Sequence, residues 1–178
     1  MNTQAVSLEA KANQIKEQGL KVFENETRMP MYGVPYASPF ITIALTHQGW
    51  VKVNYDGSVL EFGRHDMAIV PKGHVLMPLE SSEDYCVTVV AISPQLFKEI
   101  ATLQPNLHDH AEFHLNSVFH LNDEQFQGIL GFIQMLHSIS ISFAITIVIS
   151  FLIRAIYHSC SPPFKINTSH RMCANIIF

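Results

Sequence analysis

Residues 40–93 decide the fold of this protein, and they read FITIALTHQGWVKVNYDGSVLEFGRHDMAIVPKGHVLMPLESSEDYCVTVVAIS. Short apolar, β-branched runs alternate here with turn signals about every eight to twelve residues, which is typical of antiparallel barrels and sandwiches. Asp56-Gly57 lies between two such runs and indicates a tight hairpin, because both residues tolerate positive φ. The pattern predicts six strands: Phe40–Thr46, Trp50–Tyr55, Val59–Phe62, Met67–Val70, Val75–Leu79 and Tyr85–Ile92.

The sequence before these strands is of a different kind. Ser7–Gln18 is polar with apolar residues at helical spacing, and Gly19 follows it. These features predict a short surface helix that ends at the glycine. Arg28–Pro39 is rich in proline and tyrosine. Since proline fixes φ and biases the preceding residue toward extended geometry, this stretch is expected to be an irregular, extended arm whose aromatic side chains lie against the body.

Helical signals follow the strands. Ser93 and Pro94 suit the cap and the first position of a helix, so we predict a helix over Pro94–Leu103. A second helix is predicted to begin at Asn122, which forms a capping-box pattern with Gln125. Its apolar positions recur at helical spacing. They are Phe126, Ile129, Leu130, Ile133 and Leu136.

The next segment has two possible structures. Over Ile139–Phe151 every odd position is apolar, which is the period of a strand. Polar residues also recur every four positions and would form one stripe on a helix. We favour a helix over Ser142–His158, because a 13-residue strand would be unusually long. Such a helix is apolar nearly all round and must be covered on most sides.

The composition limits the class of protein. The chain has 178 residues, of which 48% are hydrophobic and 15% charged, with a net charge of −4. A disordered chain is therefore excluded, and a surface that grips nucleic acid along its length is not supported. All fifteen acidic residues lie in residues 1–124, whereas residues 125–178 hold three basic residues and no acidic one. The two parts are expected to face different surroundings.

A membrane location is not predicted. The uncharged run Ser138–Ile153 has 16 residues, whereas a bilayer crossing needs about 20. Met1–Gly19 carries four charged residues and lacks the apolar core of a signal peptide. We therefore expect a cytoplasmic protein.

The candidate chemical groups form no recognisable catalytic or metal pattern. The histidine-rich stretch His108–His120 lies between predicted helices rather than on strands, and the other strand-end histidines lack ligand spacing. The three cysteines are far apart, and no GxSxG motif occurs. We predict no catalytic residue, no metal site and no cofactor.

The order of elements resembles the N-terminal effector-binding and dimerisation half of AraC-type transcription regulators. The matching segments are Ser38–Ile41, Gly49–Asp56, Phe62–Asp66, Ser81–Tyr85, Ile92–Pro94, Phe119–Gln125, Arg154–Tyr157 and His170–Phe178. Each of these motifs is weak alone, and the resemblance depends on the order in which they occur.

The resemblance implies an α+β, mainly β fold: a cupin-like antiparallel β-barrel followed by an α-helical dimerisation hairpin. Residues 1–39 would be an N-terminal helix and arm, and residues 40–93 the barrel core. Residues 94–160 would form the helical dimerisation region. Residues 161–178 would be a linker and the start of a DNA-binding domain with two helix-turn-helix motifs, which is missing from this chain.

The resemblance also implies partners. The barrel would hold a small-molecule effector, although the resemblance identifies no individual ligand residue. Aromatic faces and one titratable ring suit a small polar-apolar ligand, so the candidate residues are Tyr36, Trp50, Tyr55 and His74. The chain would form a homodimer and would contact DNA only through the missing domain. The predicted dimer interface consists of Phe126, Ile129, Leu130, Ile133, Leu136, Ile147 and Phe151. Two alternatives remain open: a metal-dependent cupin enzyme and a membrane-associated sensor.

Overall fold

The computed structural model describes residues 12–29, 31–103 and 118–138. Helical residues 12–18 belong to α1, and two further helices are α2 (Pro94–Leu103) and α3 (Asp123–Ser138). Nine strands lie in the described ranges. They are β1 (Leu20–Glu26), β2 (Tyr36–Ala37), β3 (Ile41–Gln48), β4 (Val51–Tyr55), β5 (Ser58–Phe62), β6 (Asp66–Val70), β7 (Val75–Ser81), β8 (Cys86–Ile92) and β9 (Val118–His120).

The strands form two antiparallel sheets that pack face to face. Sheet A has the order β1-β8-β3-β6-β9, and sheet B has the order β2-β7-β4-β5. The prediction of a mainly β, antiparallel fold is therefore confirmed, and the predicted barrel takes the form of a two-sheet sandwich with three helices in the described ranges. All six predicted strands are present within two residues of their expected bounds.

Three strands were not expected. β1 and β2 lie in the region predicted to be only helix and arm, and β9 lies in the region predicted to be helical. The sandwich therefore extends beyond residues 40–93. All three are edge strands, and β1 carries only a short apolar stretch before the polar residues of its second half. Such strands acquire their structure from the neighbour with which they pair, so local patterning is a weak signal for them.

Sheet A is buried on both faces because alternate residues enter different cores. Val22, Val90, Ile43 and Ile69 form one cross-strand row and belong to the core shared with α2 and α3. The neighbouring row belongs to the core shared with sheet B. It consists of Val89, Ala44, Ala68 and Val118. This alternation follows from the two-residue period of a strand. Sheet A is thus the middle layer, with helices on one side and sheet B on the other.

The helices begin where the sequence predicts. Ser93 caps α2, since its Oγ accepts a hydrogen bond from the Leu96 N–H at 3.2 Å. At α3 the predicted capping box is present: Asn122 Oδ1 accepts from the Gln125 N–H, and Gln125 Oε1 accepts from the Asn122 N–H, both at 2.9 Å. Each of these two caps satisfies backbone donors that the first helical turn leaves free. In α1, Ile15 is buried against Phe40.

The apolar face of α3 is present but is covered by the chain itself. Phe126, Ile129, Ile133 and Leu136 are at most 4% exposed and pack into the core with sheet A, and Leu130 packs beside them. These side chains are therefore covered within one chain and leave little surface for a partner, and the predicted dimer stays a prediction. The other two predicted interface residues, Ile147 and Phe151, and the alternative structures of Ile139–Phe151, lie outside the described residues.

In the described part of the chain, no helix is both long and apolar enough to cross a membrane.

Truncating the buried face of α3 should destabilise the protein, whereas truncating its outer face should not. Ile133 is fully buried and Met135 is 48% exposed. We expect Ile133→Ala to lower the free energy of unfolding by about 2–5 kcal/mol, through lost burial and a cavity. Met135→Ala should change it by less than about 0.5 kcal/mol.

Urea unfolding at two protein concentrations measures both effects. The destabilisation by Ile133→Ala should not depend on concentration, because the contact lies within one chain. If the loss of unfolding free energy caused by Ile133→Ala disappears at high protein concentration, Ile133 packs against a second copy of the chain instead.

Candidate functional site

The inner face of sheet B carries an aromatic row. Leu76 of β7 is the Cα partner of both Tyr36 on β2 and Tyr55 on β4, so the three side chains lie side by side facing sheet A. Both tyrosines are half-buried and pack on the core between the sheets. Burial raises the pKa of Tyr36, so its phenol stays protonated at neutral pH. The row thus contributes two aromatic rings and one leucine side chain to the core between the sheets.

His74 extends this row at the turn end of the sandwich. Its ring stacks on Tyr55 with centroids 5.3 Å apart and planes 7° apart. Its Nδ1 donates to Asp56 Oδ2 at 2.5 Å, and Asp56 Oδ1 accepts from the Val75 N–H at 2.8 Å. The Val75 hydrogen bond, followed by that from His74, holds the pKa of Asp56 below its usual value. Asp56 therefore joins the β4–β5 turn to the start of β7 and fixes the orientation of His74.

Trp50 lies apart from the other three predicted residues. It precedes β4, at the opposite end of that strand from Tyr55. The backbone N–H of Trp50 donates to Ser82 Oγ at 2.9 Å, and Lys52 Nζ lies 5.0 Å from the centroid of the indole ring. The structure thus brings together Tyr36, Tyr55 and His74, and it places Trp50 in a surface turn with a cation beside it.

Tyr85 is an inward-facing residue that was not among the predicted site residues. It is 2% exposed, and its hydroxyl donates to Met29 Sδ at 3.9 Å. Burial, with the neighbouring phenols of Tyr32 and Tyr36, raises its pKa far above the usual value. The spacing of Tyr85 and Val87 on the predicted strand could have identified it, because alternate residues of a strand share a face.

A segment of the chain crosses from one sheet to the other beside these tyrosines. Residues 27–29 and 31–37, which we call the arm, follow β1 at the edge of sheet A and include β2, which pairs with β7 of sheet B. The Gly33 N–H donates to the Pro78 carbonyl at 2.7 Å, and the Tyr32 and Ser81 hydroxyls are hydrogen-bonded at 2.6 Å. The arm therefore runs along the edge of β7, and it supplies Met29 and Tyr36 to the inter-sheet core.

A second group of polar side chains lies where α3 meets sheet A. The His47 ring meets Phe126 edge-on at 5.4 Å, and the His65 ring lies 4.5 Å from Phe126. His47 Nε2 is hydrogen-bonded to Thr88 Oγ1 at 2.7 Å, and His65 Nδ1 lies 3.2 Å from Asp123 Oδ1. The two imidazoles thus enclose the first buried aromatic residue of α3.

His47 should make stability depend on pH. Its pKa lies below the ordinary value, mainly because it is buried and also because His65 is near, while Glu24 acts in the opposite direction. The unfolded chain therefore takes up a proton at a higher pH than the folded chain. The free energy of unfolding should fall as the pH drops through the ordinary histidine pKa of about 6.5.

Thermal unfolding at pH 7.5 and pH 5.5 tests this expectation. His47→Gln should lose less stability over that interval than the wild type does. His120→Gln is the matched control, since the His120 side chain is 73% exposed. Equal pH dependence in His47→Gln and wild type would contradict the assignment.

No metal centre is visible in the part of the chain that the structure describes: no three His, Cys, Asp or Glu side chains there are grouped so as to hold an ion. His47, His65 and His74, which the sequence places at strand ends, do not converge. His74 pairs with Asp56, and His65 pairs with Asp123.

Comparisons with known proteins give similarity in structure but not in sequence. No protein-family model matches the chain, and no curated protein matches it. Among solved structures, ToxT from Vibrio cholerae bound to (E)-4-(8-methylnaphthalen-1-yl)but-3-enoic acid is 11% identical, with a TM-score of 0.45 over 79% of this chain. The chain spans 58% of the length of that ToxT chain.

Shorter matches are found to other solved structures. The EutQ protein of Clostridium difficile is 16% identical with a TM-score of 0.29, and the match covers 42% of this chain and 53% of that one. A putative mannose-6-phosphate isomerase from Ralstonia eutropha is 19% identical with a TM-score of 0.31, over 42% of this chain and 75% of that one. The chain is thus similar in structure to ToxT and to cupin-like proteins, at low sequence identity.

Proposed function

We propose that this chain is the sensing part of an AraC-type transcription regulator, in which the space between the two sheets binds a small-molecule effector. The observation that carries the proposal is the row of Tyr36, Leu76 and Tyr55 on the inner face of sheet B, with the arm beside it. Ligand pockets in proteins combine apolar and aromatic walls with a few polar groups that fix orientation. Tyrosines and a fixed histidine on an inward-facing surface fit that description.

The arm suits a role in signalling. It contributes Tyr36 and Met29 to the inter-sheet core, so a ligand in that space would touch a segment held mainly at the edge of β7. A ligand shifts an equilibrium only when its affinity for the two states differs. In this proposal the effector favours one arrangement of the arm, and the resulting change reaches the helices through sheet A.

The proposal includes a homodimer and an output on DNA. Since the face of α3 that contains Phe126 and Ile133 is buried in the monomer, the dimer contact would use other surfaces. The outer face of α3, where Met135 is exposed, and the uncharged run Ser138–Ile153 are the candidates. DNA would be bound by a C-terminal domain with two helix-turn-helix motifs in the full-length regulator.

The two alternatives gain no specific support. A metal-dependent cupin enzyme needs converging ligands, whereas His65 and His74 pair with separate aspartates and His47 bonds Thr88. A membrane-associated sensor needs a spanning or surface-binding apolar element, for which the described residues offer no helix of sufficient length. We therefore retain the regulatory binding module as the proposal.

A thermal-shift screen of small aromatic and polar-apolar molecules against the whole 178-residue chain tests the binding site. A compound that binds the folded chain but not the unfolded chain raises its Tm, because it stabilises the folded state by RT ln(1 + L/Kd), where L is the free ligand concentration. We expect Tyr36→Ala to weaken the binding of such compounds by about tenfold or more, which corresponds to about 1.4 kcal/mol.

Val59→Ala is the control, because Val59 of β5 is 51% exposed and does not belong to the core between the sheets, so this change should leave binding unchanged. Compounds that bind Tyr36→Ala as tightly as wild type would contradict the proposed site. Light scattering on the same samples measures the dimer, and a protein that stays monomeric at every concentration would contradict that part of the proposal.

A further inference from the structure

The Tyr85 hydroxyl is a buried donor with a weak acceptor. Its side chain is 2% exposed, and its hydrogen-bond partner among the described residues is Met29 Sδ at 3.9 Å. A thioether sulfur accepts hydrogen bonds only weakly. A buried hydroxyl without a good partner costs free energy, and native proteins usually supply an oxygen or nitrogen acceptor. An oxygen or nitrogen acceptor would therefore form a stronger hydrogen bond with the Tyr85 hydroxyl than Met29 Sδ does.

Met29 is the side chain that a ligand could displace. It lies on the arm rather than on a strand, and it packs only in part against the inter-sheet core. Methionine is unbranched, with several rotatable bonds, so it can leave one packing position for another at small cost.

The charges of the surrounding residues limit the ligand. In the described ranges every lysine and arginine is exposed or half-buried, and none belongs to the core between the sheets. A carboxylate bound beside Tyr85 would be buried without a cation, which is costly. The phenol itself remains protonated, because burial raises the pKa of Tyr85. An uncharged acceptor suits this environment better than an anion.

We propose that Tyr85 recognises the carbonyl-type oxygen of an uncharged, mostly apolar small molecule, which takes the place of Met29 Sδ as the acceptor of the phenolic proton. This inference rests on the proposed function, because it concerns the same space between the sheets. It adds Tyr85 as a specificity-determining residue, and it makes ligand and Met29 competitors for one donor. Binding would then move the Met29 side chain and act directly on the arm.

Three probes with the same phenyl group separate the possibilities: acetophenone has a carbonyl, benzoate has a carboxylate, and ethylbenzene has no acceptor. Their dissociation constants for the whole chain can be measured by ligand-detected NMR. Acetophenone should bind more tightly than either of the others. Tyr85→Phe should raise the dissociation constant of acetophenone by about three- to tenfold, which corresponds to the loss of one hydrogen bond. It should leave the dissociation constant of ethylbenzene unchanged.

Two further variants complete the design. Thr102→Val is the control, since it removes an exposed hydroxyl on α2 that bonds the Lys98 carbonyl, and it should not alter acetophenone binding. Met29→Ala should tighten acetophenone binding, because it removes the competing side chain. The Tm of Tyr85→Phe should be no lower than that of wild type, so that a loss of binding is not a loss of folding.

Each contrary outcome has a distinct meaning. Equal acetophenone affinity in wild type and Tyr85→Phe would overturn the role of Tyr85, while Tyr36→Ala still reports on the inter-sheet site. Tighter binding of benzoate than of acetophenone would overturn the uncharged ligand class alone. Failure of acetophenone and benzoate at about 10 mM, and of ethylbenzene at its solubility limit, to bind Met29→Ala would overturn the inference entirely, and the thermal-shift screen would then decide the proposed function.

Discussion

The burial of sheet A on both faces is the constraint on which the rest of the structure depends. Successive residues of β6, from Met67 to Val70, are all at most 6% exposed, and they enter the two cores in alternation. Because a strand has a two-residue period, no strand of this sheet can slip by one position without exchanging the two sets of side chains. The same strand pairing therefore fixes both surfaces of sheet A: the one on which α3 packs and the one that faces sheet B.

This arrangement gives the proposed sensor a physical route between its parts. Ile43 faces the helices and Ala44, the next residue on β3, faces sheet B. Protein interiors are close-packed, so a change in one core is felt by the other through the strand they share. The arm enters the inter-sheet core from one side, and α3 covers the opposite face of sheet A. A ligand between the sheets would thus lie one layer away from α3.

The sequence predicts the parts of the fold that local pattern controls. The six central strands and the capping box at Asn122 follow from short-range signals, and the structure contains them. The sequence does not predict β1, β2 and β9, because an edge strand forms by pairing with a neighbour that is distant in sequence. The apolar face of α3 was identified, but periodicity does not say whether a sheet or a second copy covers it. For the site, aromatic character predicts that Trp50 and Tyr55 lie together, but the two residues lie at opposite ends of β4. Tyr85 is not among the predicted site residues, because an aromatic residue in an apolar strand is typical of ordinary core.

Native-state amide hydrogen exchange tests the central claim most directly, because it measures the opening free energy of each element. If sheet A is the shared middle layer, amides of β3, β6 and β8 exchange only through global unfolding, and the central turns of α3 open with the same free energy. The arm should open at much lower cost. Exchange in α3 as fast as in the arm, with sheet A still protected, would contradict the account, because α3 would then not be part of the core that sheet A organises.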